Sequence, residues 1–186
     1  KDNLPEPWQG KRKKQIVNFC RLEKQKNLPL LINAFEKFYQ VHSDYTLMIY
    51  GDGRERDNLI KYIKEKGLET AITLHPAVEN VHELIKDTMM FVSSSDYEGL
   101  SNSMIEAMAI GLPTICTDCP CGGARMVIRN GENGLLVPVR NVHMLFASMN
   151  KVASYGEDIK KISSEASKIR SELSIDKISS EWEKLI

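Results

Sequence analysis

The sequence predicts an α/β fold, a parallel β-sheet with helices on both faces. Two observations carry this reading. Short apolar runs of five or six residues recur along the chain, and longer segments with apolar residues at helical spacing separate them. Strands that are apolar throughout, rather than on alternate residues, belong to sheets covered on both faces. Bulk composition agrees: 186 residues, 42% hydrophobic and 27% charged, make one soluble globular domain with a substantial core.

Taken in order, "QIVNF" (15–19) is the first strand and "LPLLINAFEKFYQVH" (28–42) the first helix, with Leu31, Ala34, Phe35 and Phe38 on one face. "YTLMIY" (45–50) is a strand and "ERDNLIKYIKEKG" (55–67) a helix ending at Gly67. "AITLH" (71–75), "TMMFVSS" (88–94), "PTICTD" (113–118) and "NGLLVPV" (133–139) complete six strands. A short helix, "NVHELIKD" (80–87), precedes the fourth. From 141 onward the chain is amphipathic helix, broken near Tyr155-Gly156 and Ser174. The opening "KDNLPEPWQGKRKKQ" is expected to be a linker over residues 1–14, its basic run Lys11 to Lys14 a solvated edge or hinge.

Several classes are disfavoured at once. Lys+Arg and Asp+Glu number 25 each, so the formal net charge is zero, which argues against indiscriminate nucleic-acid binding. No apolar run approaches a membrane span, and the chain does not open on a signal peptide. Cys116, Cys119 and Cys121 do not make a C-x-x-C…C-x-x-C double pair, and no histidine lies close by. With Cys20 they read as reduced thiols rather than a zinc site. The four histidines form no sequence-local constellation.

In open parallel sheets ligands bind beyond the carboxyl ends of the strands, so the loops there hold the candidates. "GDGRER" (51–56) begins like a dinucleotide fingerprint, but Arg56 replaces the third glycine and no acid for a ribose follows. Gly51 and Gly53 there make either a plain turn or a backbone approach to a ligand. "CRLEKQKN" (20–27) sets Arg21 and Lys26 before a helix N-terminus, a natural diphosphate clamp if the pair is not simply solvated. "SSDYEGLSNSMIEAMAIGLP" (94–113) contains Glu98 and Glu106, with a helix starting between Ser101 and Ser103. Ser103 and Glu106 fit an S-x-x-E capping box, which offers Glu106 a purely structural role. Met104, Ile105 and Met108 are expected in the core, and Gly111 at a left-handed helix cap.

The ordered set of motifs resembles one family. "EGLSNSMIEAMAIGLP" is similar to the E-x7-E segment of retaining GT-B glycosyltransferases of family 4. "VNFCRLEKQKNLPLLINAF", "LMIYGDG", "FVSSSDYEGLSN" and "GENGLLVPV" follow in that family's order. The resemblance runs from about residue 15 to the C-terminus. It implies a Rossmann-like nucleotide-sugar-binding domain over 15–174, the C-terminal half of a GT-B fold. It also implies a helix, 175–186, that crosses back to an N-terminal acceptor domain and leaves Trp182 and Leu185 exposed here.

By the same resemblance Arg21 and Lys26 bind the donor diphosphate, Glu98 the transferred sugar and Glu106 the ribose. Backbone N–H groups of Leu100, Ser101 and Asn102 cradle the phosphates, Gly51 and Gly53 line the donor site, and Pro76 lies near the nucleobase. No metal or other cofactor is implied. The donor would be a nucleotide-sugar, with a UDP-sugar expected before GDP-mannose. The acceptor would be a polysaccharide or lipid-linked glycan, reached in the cytoplasm or at the cytoplasmic face of a membrane. Two positions depart from the pattern: Cys20 replaces the usual glycine before the arginine, and Pro76 stands where glycine is common. A non-catalytic nucleotide-sugar-binding module, and an unrelated nucleotide-binding domain such as an epimerase or oxidoreductase, remain as other readings.

Overall fold

The computed structural model describes residues 4–156 and 158–184. Its strands are β1 (Lys13–Phe19), β2 (Thr46–Tyr50), β3 (Ile72–His75), β4 (Thr88–Ser93), β5 (Thr114–Asp118) and β6 (Leu135–Pro138). They form one sheet in the order β3-β2-β1-β4-β5-β6, and every pairing is parallel. The order reverses direction between β1 and β4. Loops leaving those two neighbours diverge to opposite faces and open a crevice at their carboxyl ends.

The helices are α1 (Leu28–Val41), α2 (Arg56–Glu65), α3 (Val81–Ile85), α4 (Asn102–Ala109), α5 (Val142–Ala153), α6 (Asp158–Ser167), α7 (Ile169–Glu172) and α8 (Ile175–Glu183). Side chains alternate along each strand between two helix layers. Ile16, Met90, Val92 and Ile115 join Leu31, Phe35, Phe38 and Leu145 on the α1 and α5 side. Val17, Phe91 and Cys116 join Met104, Met108 and Ile169 on the α4 and α7 side. Strands buried on both faces explain why their sequences are apolar throughout. Phe35 and Phe38 are wholly buried, each stabilising the fold by about 2–3 kcal/mol relative to exposure.

Local chemistry sets the element ends. Asn27, at φ 41°, caps α1 by accepting from Leu30 N, and Pro29 occupies the first turn. At the end of α4, Gly111 takes φ 72° while its N–H reaches Met108 O and Leu112 N reaches Ala107 O. This paired closure is the Schellman arrangement expected of a Gly-Leu-Pro stop. Ser174 accepts from Lys177 N and starts α8.

The amino-terminal segment differs from the expectation. β1 begins at Lys13, inside the stretch assigned to a linker; of the basic run Lys11, Lys13 and Lys14 are exposed, and Arg12 alone is buried. Arg12 is buried, donating to the carbonyls of Lys86, Thr88 and Gly111 and to Ser163 Oγ. Burial lowers its guanidinium to about 10, which leaves it cationic at neutral pH. Lys13 and Lys14 pair with Asp87 and Asp44. Arg170 of α7 holds the segment further along, donating to the carbonyls of Leu4 and Pro5 and pairing with Glu6. One buried and one partly buried arginine thus hold residues 4–6 and the start of β1 against this domain.

Along α8, Ile175, Ile178 and Trp182 are exposed at helical spacing, Trp182 by 64%. Leu185 lies outside the described residues.

Candidate functional site

The loops after β1 and β4 are laced together across the crevice. Ser94 Oγ donates to Lys26 O at 2.9 Å, and Asp96 N donates to Gln25 O at 2.8 Å. Asn27 Nδ2 donates to Asp96 Oδ1 at 2.7 Å, while Arg140, beyond β6, pairs with Asp96 Oδ2 at 3.0 Å. Burial alone would raise the Asp96 carboxyl. The hydrogen bonds from Arg140 and Asn27 outweigh it and hold the group below the usual carboxylate range.

Over this lacing Lys26 forms an ion pair with Glu98, both side chains largely shielded. Lys26 ends a 3-10 turn (Lys24–Lys26) that delivers the ammonium back over β1. Two of the expected site residues, 72 positions apart in sequence, are thus in contact. Arg21 is exposed, and among the described residues its side chain makes no hydrogen bond or ion pair. It lines an open groove of about 260 Å³ with Phe19, Cys20, Tyr50, Gly51, Asp52, Ala77, Val78 and Val81. The groove has aromatic and aliphatic walls with one cation at its edge, a shape suited to a flat ring carrying an anionic tail.

The glycines after β2 serve the protein's own backbone. A Cβ on Gly51 would stand 1.8 Å from Cys20 O, and one on Gly53 would stand 2.4 Å from Leu22 O. Their freedom is used to let the first two loops touch, and only Gly51 also borders the groove. Pro76 is exposed and does not line the groove; Ala77 and Val78 beside it do. Asp52 Oδ2 accepts from Ala77 N at 2.9 Å, and the Tyr50 and His75 rings stack at 4.5 Å, so this wall is braced. Cys20 packs half-buried under the loop, and burial pushes its thiol up to about 12. It is a neutral packing group.

At the start of α4 the structure corrects one expectation. The cap is Ser101, whose Oγ accepts from Met104 N at 3.5 Å, while Ser103 lies inside the helix with its Oγ 3.0 Å from that of Ser101. The Ser103–Glu106 capping box is therefore not formed. Glu106 instead meets His82 of α3, Nε2 to Oε2 at 3.0 Å. His82 was invisible as a site residue because its partner is 24 positions away and on another element. Leu100 and Asn102 are exposed and Ser101 is buried at the helix start, the positive end of the helix, whose first N–H groups have no partner within the helix. Met104 and Met108 are core as expected, whereas Ile105 is only partly buried and borders a second, larger groove.

The loop after β5 closes one side. A Cβ on Gly123 would fall 2.1 Å from Gly99 O, so Gly123 lets this loop seat directly on the residue after Glu98. Cys119 Sγ donates to Ser95 O and Cys121 Sγ to Glu98 O. Among the described residues no group of three or more potential metal ligands comes together. The second groove, about 500 Å³, is lined by Leu4, Ile105, Ala109, Leu173 and Ile175; Arg170 at its edge is already engaged by the amino-terminal segment.

Residues 2–169 match the sequence model of the family described as glycosyl transferases group 1. The chain belongs to that family. A crystal structure of Staphylococcus aureus TarM in complex with Fondaparinux, alpha-GlcNAc-glycerol and UDP superposes with a TM-score of 0.90 at 25% identity. That likeness covers 98% of this chain and 37% of TarM. Two relatives by sequence are a Campylobacter jejuni N-acetylgalactosamine-N,N'-diacetylbacillosaminyl-diphospho-undecaprenol 4-alpha-N-acetylgalactosaminyltransferase and a Staphylococcus aureus poly(ribitol-phosphate) alpha-N-acetylglucosaminyltransferase. The first is 35% identical over 73% of this chain and 36% of its own length. The second is 30% identical over 76% of this chain and 28% of its own length.

The chain therefore spans about a third of these relatives, and its fold is that of a C-terminal GT-B glycosyltransferase domain. A solved C-terminal domain of a glycosyl transferase group 1 family protein from Francisella tularensis has the same fold, with a TM-score of 0.75. No helix of this glycosyltransferase domain, among the described residues, is long and apolar enough to cross a membrane.

Proposed function

We propose that this domain binds the nucleotide-sugar donor of a retaining glycosyltransferase, with a UDP-sugar as donor. The observation that carries the reading is the crevice between β1 and β4. An exposed Arg21, a Lys26 held to Glu98, and the amino end of α4 all meet at the carboxyl ends of two adjacent parallel strands. Anion, hydroxyl and ring each have a chemically matched surface there. The base lies along Tyr50, Ala77 and Val78, and the diphosphate lies against Arg21, Lys26 and the N–H groups of Leu100, Ser101 and Asn102. Glu106 takes the ribose and Glu98 the transferred sugar. UDP in the TarM complex, at 25% identity and nearly full coverage of this chain, supports the choice of nucleotide.

In the reaction the anomeric C–O bond to the diphosphate breaks and a new bond forms to an acceptor oxygen on the same face. The acceptor's proton passes to the departing phosphate oxygen. Negative charge grows on that phosphate, so Arg21, Lys26 and the helix end stabilise the transition state more than the ground state. Diphosphate binding also competes for Lys26, which releases Glu98 to face the sugar. These cations and dipoles neutralise the leaving group without a metal. The acceptor, a polysaccharide or lipid-linked glycan as the relatives' names suggest, is bound largely by a further domain, against which the apolar stripe of α8 packs. The reaction belongs in the cytoplasm or at the cytoplasmic face of a membrane.

Calorimetric titration with UDP, GDP and NAD tests the donor reading. UDP is expected to bind most tightly, without added metal. Tighter binding of GDP would redirect the assignment to a GDP-mannose enzyme. Preference for NAD would end it. Transfer by a chain carrying the acceptor domain separates an enzyme from a non-catalytic binding module.

A further inference from the structure

His82 is the one polar side chain of α3 that turns into the protein, and no feature of the donor chemistry above uses it. Its side chain is only 11% exposed, and it stands behind the groove's lining rather than on it. The ring stands edge-on to Phe19 at 5.8 Å and 88°, and its neighbour Val81 lines the groove beside Phe19. Nε2 lies 3.0 Å from Glu106 Oε2. An ionised carboxylate only accepts hydrogen bonds, so Nε2 must carry a proton in this contact. The imidazole is thus clamped between an aromatic ring at the end of β1 and a carboxylate on the second turn of α4.

A carboxylate that reads the hydroxyls of a ribose has to be held at a fixed angle, because a small misplacement costs both hydrogen bonds together. Glu106 is itself only 17% exposed, and a glutamate has three rotatable bonds to fix before its carboxylate can hold one angle. We propose that His82 is a positioning residue for ribose recognition: its Nε2–H fixes the Glu106 carboxylate against the groove. The inference rests on the reading of Glu106 as the ribose contact. It goes beyond that reading by assigning the role to a residue outside the E-x7-E segment, on α3, a helix given no part in donor binding above.

The test compares UDP with 2′,3′-dideoxy-UDP, which lacks the two hydroxyls, on the unaltered chain and two variants. His82→Phe keeps the ring packing on Phe19 and removes the donor; His82→Gln keeps an N–H at similar reach. Loss of a charge-assisted hydrogen bond that orients the carboxylate is expected to weaken UDP binding by about tenfold in His82→Phe. Binding of the dideoxy nucleotide should change less than about twofold, and His82→Gln should recover most of the UDP affinity. Equal losses for both nucleotides in His82→Phe would make His82 a wall of the groove and overturn the proposal. So would unchanged UDP affinity.

If the unaltered chain binds both nucleotides equally well, the ribose role of Glu106 itself fails, a result distinct from the other two. A readout on the unaltered chain covers variants that do not fold. The 15N resonance of His82 Nε2 should be that of a protonated nitrogen and should move on addition of UDP but not of the dideoxy form. An unprotonated Nε2, or an equal response to both, would overturn the assignment.

Discussion

Arg12 and Arg21 stand nine residues apart at opposite ends of β1, and the two ends of the sheet use them in opposite ways. At the amino end, Arg12 is buried and fully engaged by three carbonyls and a hydroxyl. At the carboxyl end, Arg21 is exposed beside an open groove with no partner among the described residues. A buried guanidinium with both terminal nitrogens hydrogen-bonded holds structure together. One that is solvated and aimed at a crevice is available to a ligand, at the expense of stability the fold did not gain from it. Glycines divide the same way. Gly111 ends a helix at the amino end, whereas Gly51, Gly53 and Gly123 bring loop backbones into contact around the crevice.

Substitution of each arginine should separate the two ends. Arg21→Ala is expected to lower sugar transfer by the complete enzyme about 100- to 1,000-fold, with a melting temperature near that of the parent. Steady-state kinetics and thermal unfolding together check this; a large fall in melting temperature would place Arg21 with the structural group. Arg12→Ala should do the reverse, costing about 3 kcal/mol in urea unfolding because four acceptors, three of them in buried hydrogen bonds, lose their donor. UDP affinity of the molecules that remain folded should be unaltered.

Asp96→Asn sharpens the comparison, since this residue laces the crevice without lining the groove. About 1 kcal/mol should be lost at neutral pH. The folded carboxyl is held below its ordinary value, so its contribution is present above the unfolded pKa and disappears as pH falls through the folded one. Unfolding curves of parent and variant should accordingly converge in acid. The smallest effect belongs to Trp182→Ala on exposed α8, within about 0.5 kcal/mol for this chain. In a longer enzyme where α8 has an apolar surface to meet, the same change should cost more, and comparison of the two melting temperatures checks that.

Six strands, the alternating helices and the stop at Gly111 were all legible in the residues, because periodicity and turn chemistry are local. The sequence also marked Arg21, Lys26, Glu98 and Glu106 through their motifs. Within the basic run at 11–14 it missed Arg12, whose burial depends on carbonyls at 86, 88 and 111. It gave Glu106 a capping partner in Ser103, while helix start at Asn102 hands the cap to Ser101.

By itself, then, the chain's order of apolar runs, turns and charges determined the parallel α/β architecture and the loops in which the candidate site residues lie. Tertiary structure alone decided which polar side chains meet: Lys26 with Glu98 across 72 residues, His82 with Glu106 across 24, Asp96 with both Asn27 and Arg140. The physical reason is range. A helix or a turn is specified by neighbours within about four positions. A contact between loops exists only once parallel strands, placed by their shared core, have brought distant carboxyl ends side by side.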